Sequence, residues 1–250
     1  MADEHKAVMS AGSGSFPTTH WSTLAAARGR MSPEQREVLN CLILRYWKPV
    51  HTYIYCHGFQ QEAADLTQDF FVGCLRRELF GRAERARGRF RAFLLSCLRN
   101  FLADARRHQQ RHGPPQGVIS VQQLIRQDEL TFQPAENETP DAVFYRTWVR
   151  ELLTRVWQML EQEYRAAGRE VHCELFRQRV FEPALNGTPP APLLDLAQKV
   201  GLTERQASNC VTTTVRAFRR ILRQEVGVYA GSEEEVNSEI RDLFRLASGP

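Results

Sequence analysis

Glu62, Asp65 and Asp69 fall at i, i+3 and i+7 of the stretch EAADLTQDFFVGCL, so a helix there sets three carboxylates on one face. Gln68 lies beside them, and Leu66, Phe70 and Phe71 supply the apolar side. Such a face can bind a divalent cation if further oxygen ligands converge on it. It can equally dock a protein partner that offers cations. No acidic or histidine partner is evident elsewhere, and His51, Cys56 and His57 lack a second ligand pair at zinc spacing. A glycine-rich phosphate loop, a serine elbow and an HExxH motif are all missing from the sequence. The expectation is therefore a chain with no catalytic residues, no metal site and no cofactor. A magnesium-dependent nuclease using Glu62, Asp65 and Asp69 is the enzymatic alternative.

An arginine-dense segment follows at once. From Arg76 to Arg111 eleven arginines stand against Glu78, Glu84 and Asp104. The whole chain carries only +4, so the remainder must be net negative. A local field of this kind favours polyanions. Arg82, Arg85, Arg87, Gly88, Arg89, Phe90 and Arg91 come first, then Arg99, Asn100, Arg106 and Arg107. Arginines interleaved with Phe90, Phe93 and Phe101 fit backbone tracking with base capture. Phe93, Leu94, Leu98, Phe101 and Leu102 also sit at helical spacing, which assigns most of these aromatics to a core and leaves the arginines for phosphate.

A third constellation lies near the C-terminus. Leu193–Lys199 reads as a short amphipathic helix, Val200-Gly201-Leu202 as a turn, and Thr203 as the cap of a second helix running to about Val226. On that helix Ala207, Val211, Val215, Phe218 and Leu222 share one face. Arg205, Ser208, Asn209, Thr212, Thr213, Arg216 and Arg219 occupy the other. This is a helix-turn-helix pattern over residues 193–226, with polar side chains where base edges can be reached and arginines suited to phosphates.

The elements that must position these residues are helical. Ser32-Pro33-Glu34-Gln35, Thr139-Pro140-Asp141, Thr203-Glu204-Arg205-Gln206 and Ser232-Glu233-Glu234-Glu235 are helix starts with caps. Val143, Phe144, Trp148, Leu152, Val156, Trp157, Leu160 and Tyr164 mark a long packed helix, and another follows near Arg169–Glu182. Only Val118-Ile119-Ser120-Val121 resembles a strand, so the fold class is all-α. The chain divides into a disordered start (1–15), a helical domain (16–108), and a flexible linker (109–139) holding one short turn at Val121–Ile125. A second helical domain (140–228) and a C-terminal helical tail (229–250) complete it. The six scattered cysteines read as buried free thiols of a reducing compartment. The first residues lack an apolar leader, and no run reaches membrane-spanning length, so a cytoplasmic protein with no membrane contact is expected.

With these residues in view, the chain resembles a bacterial RNA polymerase sigma factor of the sigma-70 family, most of all its extracytoplasmic-function group, which keeps regions 2 and 4. Asp65-Leu66-Thr67-Gln68-Asp69-Phe70-Phe71 is similar to the region 2 signature. Phe90-Arg91-Ala92-Phe93-Leu94 through Asn100, Asp104, Arg106 and Arg107 is similar to the promoter-melting segment, and Gly201-Leu202-Thr203-Glu204 through Leu222 to the region 4 helix-turn-helix. Phe16–Ser22 and Glu235–Arg241 resemble the ends of a subgroup of long factors of this type. The resemblance implies that Asp65, Leu66, Gln68, Asp69 and Phe70 dock on the clamp coiled coil of the polymerase β′ subunit, with the β subunit a further contact. It implies that Arg87, Gly88, Arg89 and Phe90 lie near a flipped base of the −10 element. Asn100, Arg106 and Arg107 would face promoter DNA there, and Arg205, Ser208, Asn209, Thr212, Thr213 and Arg216 would read the −35 element. An anti-sigma protein is admitted as a further partner. This chain departs from the family in having Ser208, Cys210, Thr212 and Thr213 where basic residues are usual. A free-standing helix-turn-helix regulator is the alternative from a different class.

Overall fold

The structure, a computed structural model, describes residues 33–76, 90–112, 138–227, 230 and 232–247. Among them the regular structure is helical, as the all-α expectation requires. The order is α1 (Pro33–Cys56), α2 (Ala63–Arg76), α3 (Phe90–His112), α4 (Pro140–Ala166), α5 (Glu170–Phe176), a π-helical stretch (Arg177–Phe181), α6 (Glu182–Asn186), α7 (Leu193–Lys199), α8 (Glu204–Gly227) and α9 (Glu233–Ala247). The segments 1–15, Phe16–Ser22 and Val118–Ile125 lie outside the described residues.

The helix starts follow their caps. Thr139 accepts the Ala142 amide at 3.3 Å to open α4, and Ser232 accepts that of Glu235 at 3.2 Å to open α9. α1 presents Leu39, Leu42, Tyr46, Val50, Tyr53 and Ile54 as a buried seam. It packs most extensively along α4, whose Phe144, Trp148, Leu152 and Val156 are buried in turn. α3 continues to His112, four residues past the expected end of the first helical domain at 108.

The helix expected near Arg169–Glu182 is interrupted by the π stretch and runs on to Asn186. Pro183 supplies the physical reason. It has no N–H, and its ring crowds the carbonyl four residues back, so one wider turn absorbs the misfit. Arg177 bridges that turn, pairing with Glu174 at 2.6 Å and with Glu182.

One apolar cluster runs through α1, α2, α3, α4, α5, α8 and α9. It therefore joins both expected blocks through the side of the molecule where α1 meets α4. A second, smaller cluster of Leu175, Leu196, Ala197 and Ala207 forms the centre of the α5–α7–α8 unit. Ion pairs follow the same seams: Arg45 of α1 with Glu225 of α8 at 2.9 Å, Lys48 with Glu151 at 2.8 Å, and Arg220 with Glu163 at 2.7 Å.

Candidate functional site

The turn between α7 and α8 is built as the sequence asks. The Leu202 amide donates to the Ala197 carbonyl at 2.9 Å and the Gly201 amide to that of Gln198 at 3.2 Å. These two bonds close a Schellman motif, in which the residue after the cap must be left-handed. Gly201 holds that place with φ +69°. Thr203 and Gln206 then cap α8 reciprocally: the Gln206 amide donates to Thr203 Oγ1 at 3.3 Å, and the Thr203 amide to Gln206 Oε1 at 2.9 Å. Ala207, Thr214, Ile221, Leu222, Glu225 and Val226 turn inward from α8. Arg205, Ser208, Asn209, Thr212, Thr213 and Arg216 are all exposed. The expected reading face is thus free of the core, and α7 braces it from behind through Leu196 and Ala197.

On α2, Asp65, Gln68 and Asp69 are exposed and Leu66 is half-buried. Glu62 stands just before the helix, its carbonyl accepting the Leu66 amide at 2.9 Å. Glu62 is thus the residue that caps the helix, and Asp65 and Asp69 stand on its first two turns. Phe70 is only 2% exposed and meets Phe71 and Phe101 edge-on, at centroid distances of 5.4 and 5.5 Å. It anchors α2 on α3 and is not a surface contact in this conformation. Trp47 of α1 stacks on Phe71 at 5.8 Å and is partly exposed, and Leu44, one helical turn earlier, is 73% exposed. This apolar shoulder was missed in the sequence. Its signal is a large apolar residue outside the α1 seam, which only becomes readable once the seam is known.

On α3 the arginines divide. Arg87, Gly88 and Arg89 lie outside the described residues, as do Arg82 and Arg85. Phe90 is buried and packs edge-on against Tyr46 at 5.0 Å, so it is not offered to a base. Asn100, Arg106 and Arg107 are exposed. Arg106 donates to the His57 carbonyl at 2.9 Å and lies 5.8 Å from the Phe59 ring centroid. Arg107 pairs with Asp104 one turn away. Arg99 pairs with Asp141 of α4, a contact that raises its pKa. Arg91 turns inward, and no sequence signal marked its partners Glu239 and Asp242, which lie far along the chain.

Among the described residues no three His, Cys, Asp or Glu side chains converge as a metal would need. None of the six cysteines forms a disulfide; Cys74 and Cys173 are buried as expected, whereas Cys56, Cys97 and Cys210 are only partly covered and Cys41 is exposed. Among those residues no helix is long and apolar enough to cross a membrane. Comparison with protein-family models, with curated proteins and with solved structures finds no match.

Proposed function

We propose that the chain is a non-enzymatic transcription initiation factor of the sigma type, acting in the bacterial cytoplasm. Region 2-like residues would dock on core RNA polymerase and open the −10 element, and region 4-like residues would read the −35 element. The observation that carries this reading is the simultaneous exposure of two unlike faces on one chain. Asp65, Gln68 and Asp69 of α2 offer acceptors to a cationic protein surface. The face of α8 from Arg205 to Arg216 offers donors to DNA behind a correctly closed turn. Phe70 contributes by holding α2 on α3, and Phe90 by holding α3 on α1. Contact with the −10 element then falls to Asn100, Arg106, Arg107 and the residues Arg87–Arg89.

The test is a pair of measurements on the double variant Asp65→Ala with Gln68→Ala. Affinity for bacterial core polymerase in gel filtration or pull-down should fall about tenfold, the scale of losing one or two contributing interface contacts. The melting temperature should hold, because both side chains are exposed. Unchanged polymerase affinity would refute the docking assignment. The runner-up, a free-standing regulator, draws support from the exposed reading face of α8 in the isolated chain. Sequence-specific, salt-dependent duplex binding without polymerase would favour it.

A further inference from the structure

Arg91 stands in the first turn of α3, immediately after the arginine-dense stretch that ends at Arg89. It is 4% exposed. Its guanidinium donates to Glu239 and, at 3.3 Å, to Asp242, both on α9. The same group lies 4.7 Å from the Trp148 ring centroid and 6.0 Å from that of Tyr145, both on α4. Beside it Phe90 packs on Tyr46 of α1. Four elements therefore meet at the point where the chain enters α3.

α9 also has a second fastening. Arg223 of α8, the helix that carries the reading face, donates to Asn237 at 2.7 Å and to Glu233. Val236 and Leu243, beside the two fastenings, are buried. One short helix thus bridges the helix-turn-helix to the first turn of α3. A guanidinium set among aromatic rings cannot stay there uncompensated. If α9 leaves, the first turn of α3 must open far enough to hydrate Arg91. The two are bound to move together.

We infer that α9 is a positioning strap: through Glu239 and Asp242 on Arg91 it fixes the first turn of α3, the helix that carries Asn100, Arg106 and Arg107, relative to the α8 reading face, and so sets the promoter-opening geometry. This rests on the initiation-factor reading. Arg91, Glu239 and Asp242 act through α3 and touch no DNA themselves.

The test uses the full chain with Glu239→Gln and Asp242→Asn, and a second variant that adds Arg91→Met to remove the stranded cation should the first unfold. Three quantities are measured with core polymerase: affinity, strand opening on a fully paired promoter by permanganate reactivity, and opening on a premelted template. The strap predicts unchanged polymerase affinity and about a tenfold loss of opening on paired DNA, the scale on which contacting groups couple. The premelted template should rescue the loss. Equal losses in all three quantities would make α9 a plain stabiliser and overturn the proposal, as would normal opening on paired DNA. Hydrogen exchange separates this from the parent reading. Faster exchange in α9 and at residues 90–97 together supports the strap, and faster exchange in α9 alone overturns it, whether or not the wild-type chain binds polymerase.

Discussion

His57 shows how a residue near the basic face reports on the fold. Its Nδ1 lies 3.1 Å from the Tyr53 carbonyl oxygen, and Arg106 holds its own carbonyl. Burial first, then the nearby Arg106 and Arg99 guanidiniums, hold the imidazole below its ordinary value of 6.5 against the pull of that backbone carbonyl. The folded chain therefore binds this proton less readily than the unfolded one. Its contribution to stability is complete above the unfolded value and is lost as the pH falls through the lower folded value. His172, also lowered by burial, adds in the same sense. The melting temperature should thus fall as the pH is lowered from above 6.5 to below it, and His57→Gln should shrink that step. A step of undiminished size in the variant would show that His57 is not the group responsible. The exposure of Arg106 and Arg107 was legible from their helical phase relative to Leu98 and Leu102. The burial of Phe70 and Phe90 was not. A phenylalanine in a signature looks the same whether it meets a partner or a neighbouring helix, and only Phe101 and Tyr46 decide the matter.

At the scale of elements, the local punctuation carried most of the information. Each cap that the structure describes at Thr139, Thr203 and Ser232 closes on the amide its spacing predicts. Such caps are legible because both partners lie within one turn. The turn after α7 makes a direct test. A Cβ on Gly201 would meet nothing within 4 Å, so Gly201→Ala costs only the strain of its φ +69° backbone, about 1 kcal/mol. Thr203→Ala should cost about 1 kcal/mol through the lost cap. Both losses are read by urea denaturation, and hydrogen exchange should rise first in α7, whose cluster is separate from the main core. Full stability in both variants would mean that the helix-turn-helix is not closed as described. The π stretch was not legible. Pro183 announces a disturbance, but whether the chain stops or widens by one turn depends on Arg177 reaching Glu182 and on Phe181 packing near Trp157 and Phe218.

At the scale of the molecule, the two blocks read from the sequence share one apolar cluster, and arginine–carboxylate pairs bridge them. Arg45 with Glu225 is largely buried, at 12% and 10% side-chain exposure. Neither partner could be named beforehand, because 180 residues separate them and no local pattern links the two. How α1 would lie on α4 was not readable, since an apolar seam states that it is buried without stating by what. The central claim is that this chain brings core polymerase to promoters, and in vitro transcription with bacterial core enzyme on a random promoter library tests it most directly. Transcripts should require the chain, start at discrete sites and share an upstream pair of sequence elements. Transcription no higher than that of core enzyme alone, with no enriched element, would contradict it.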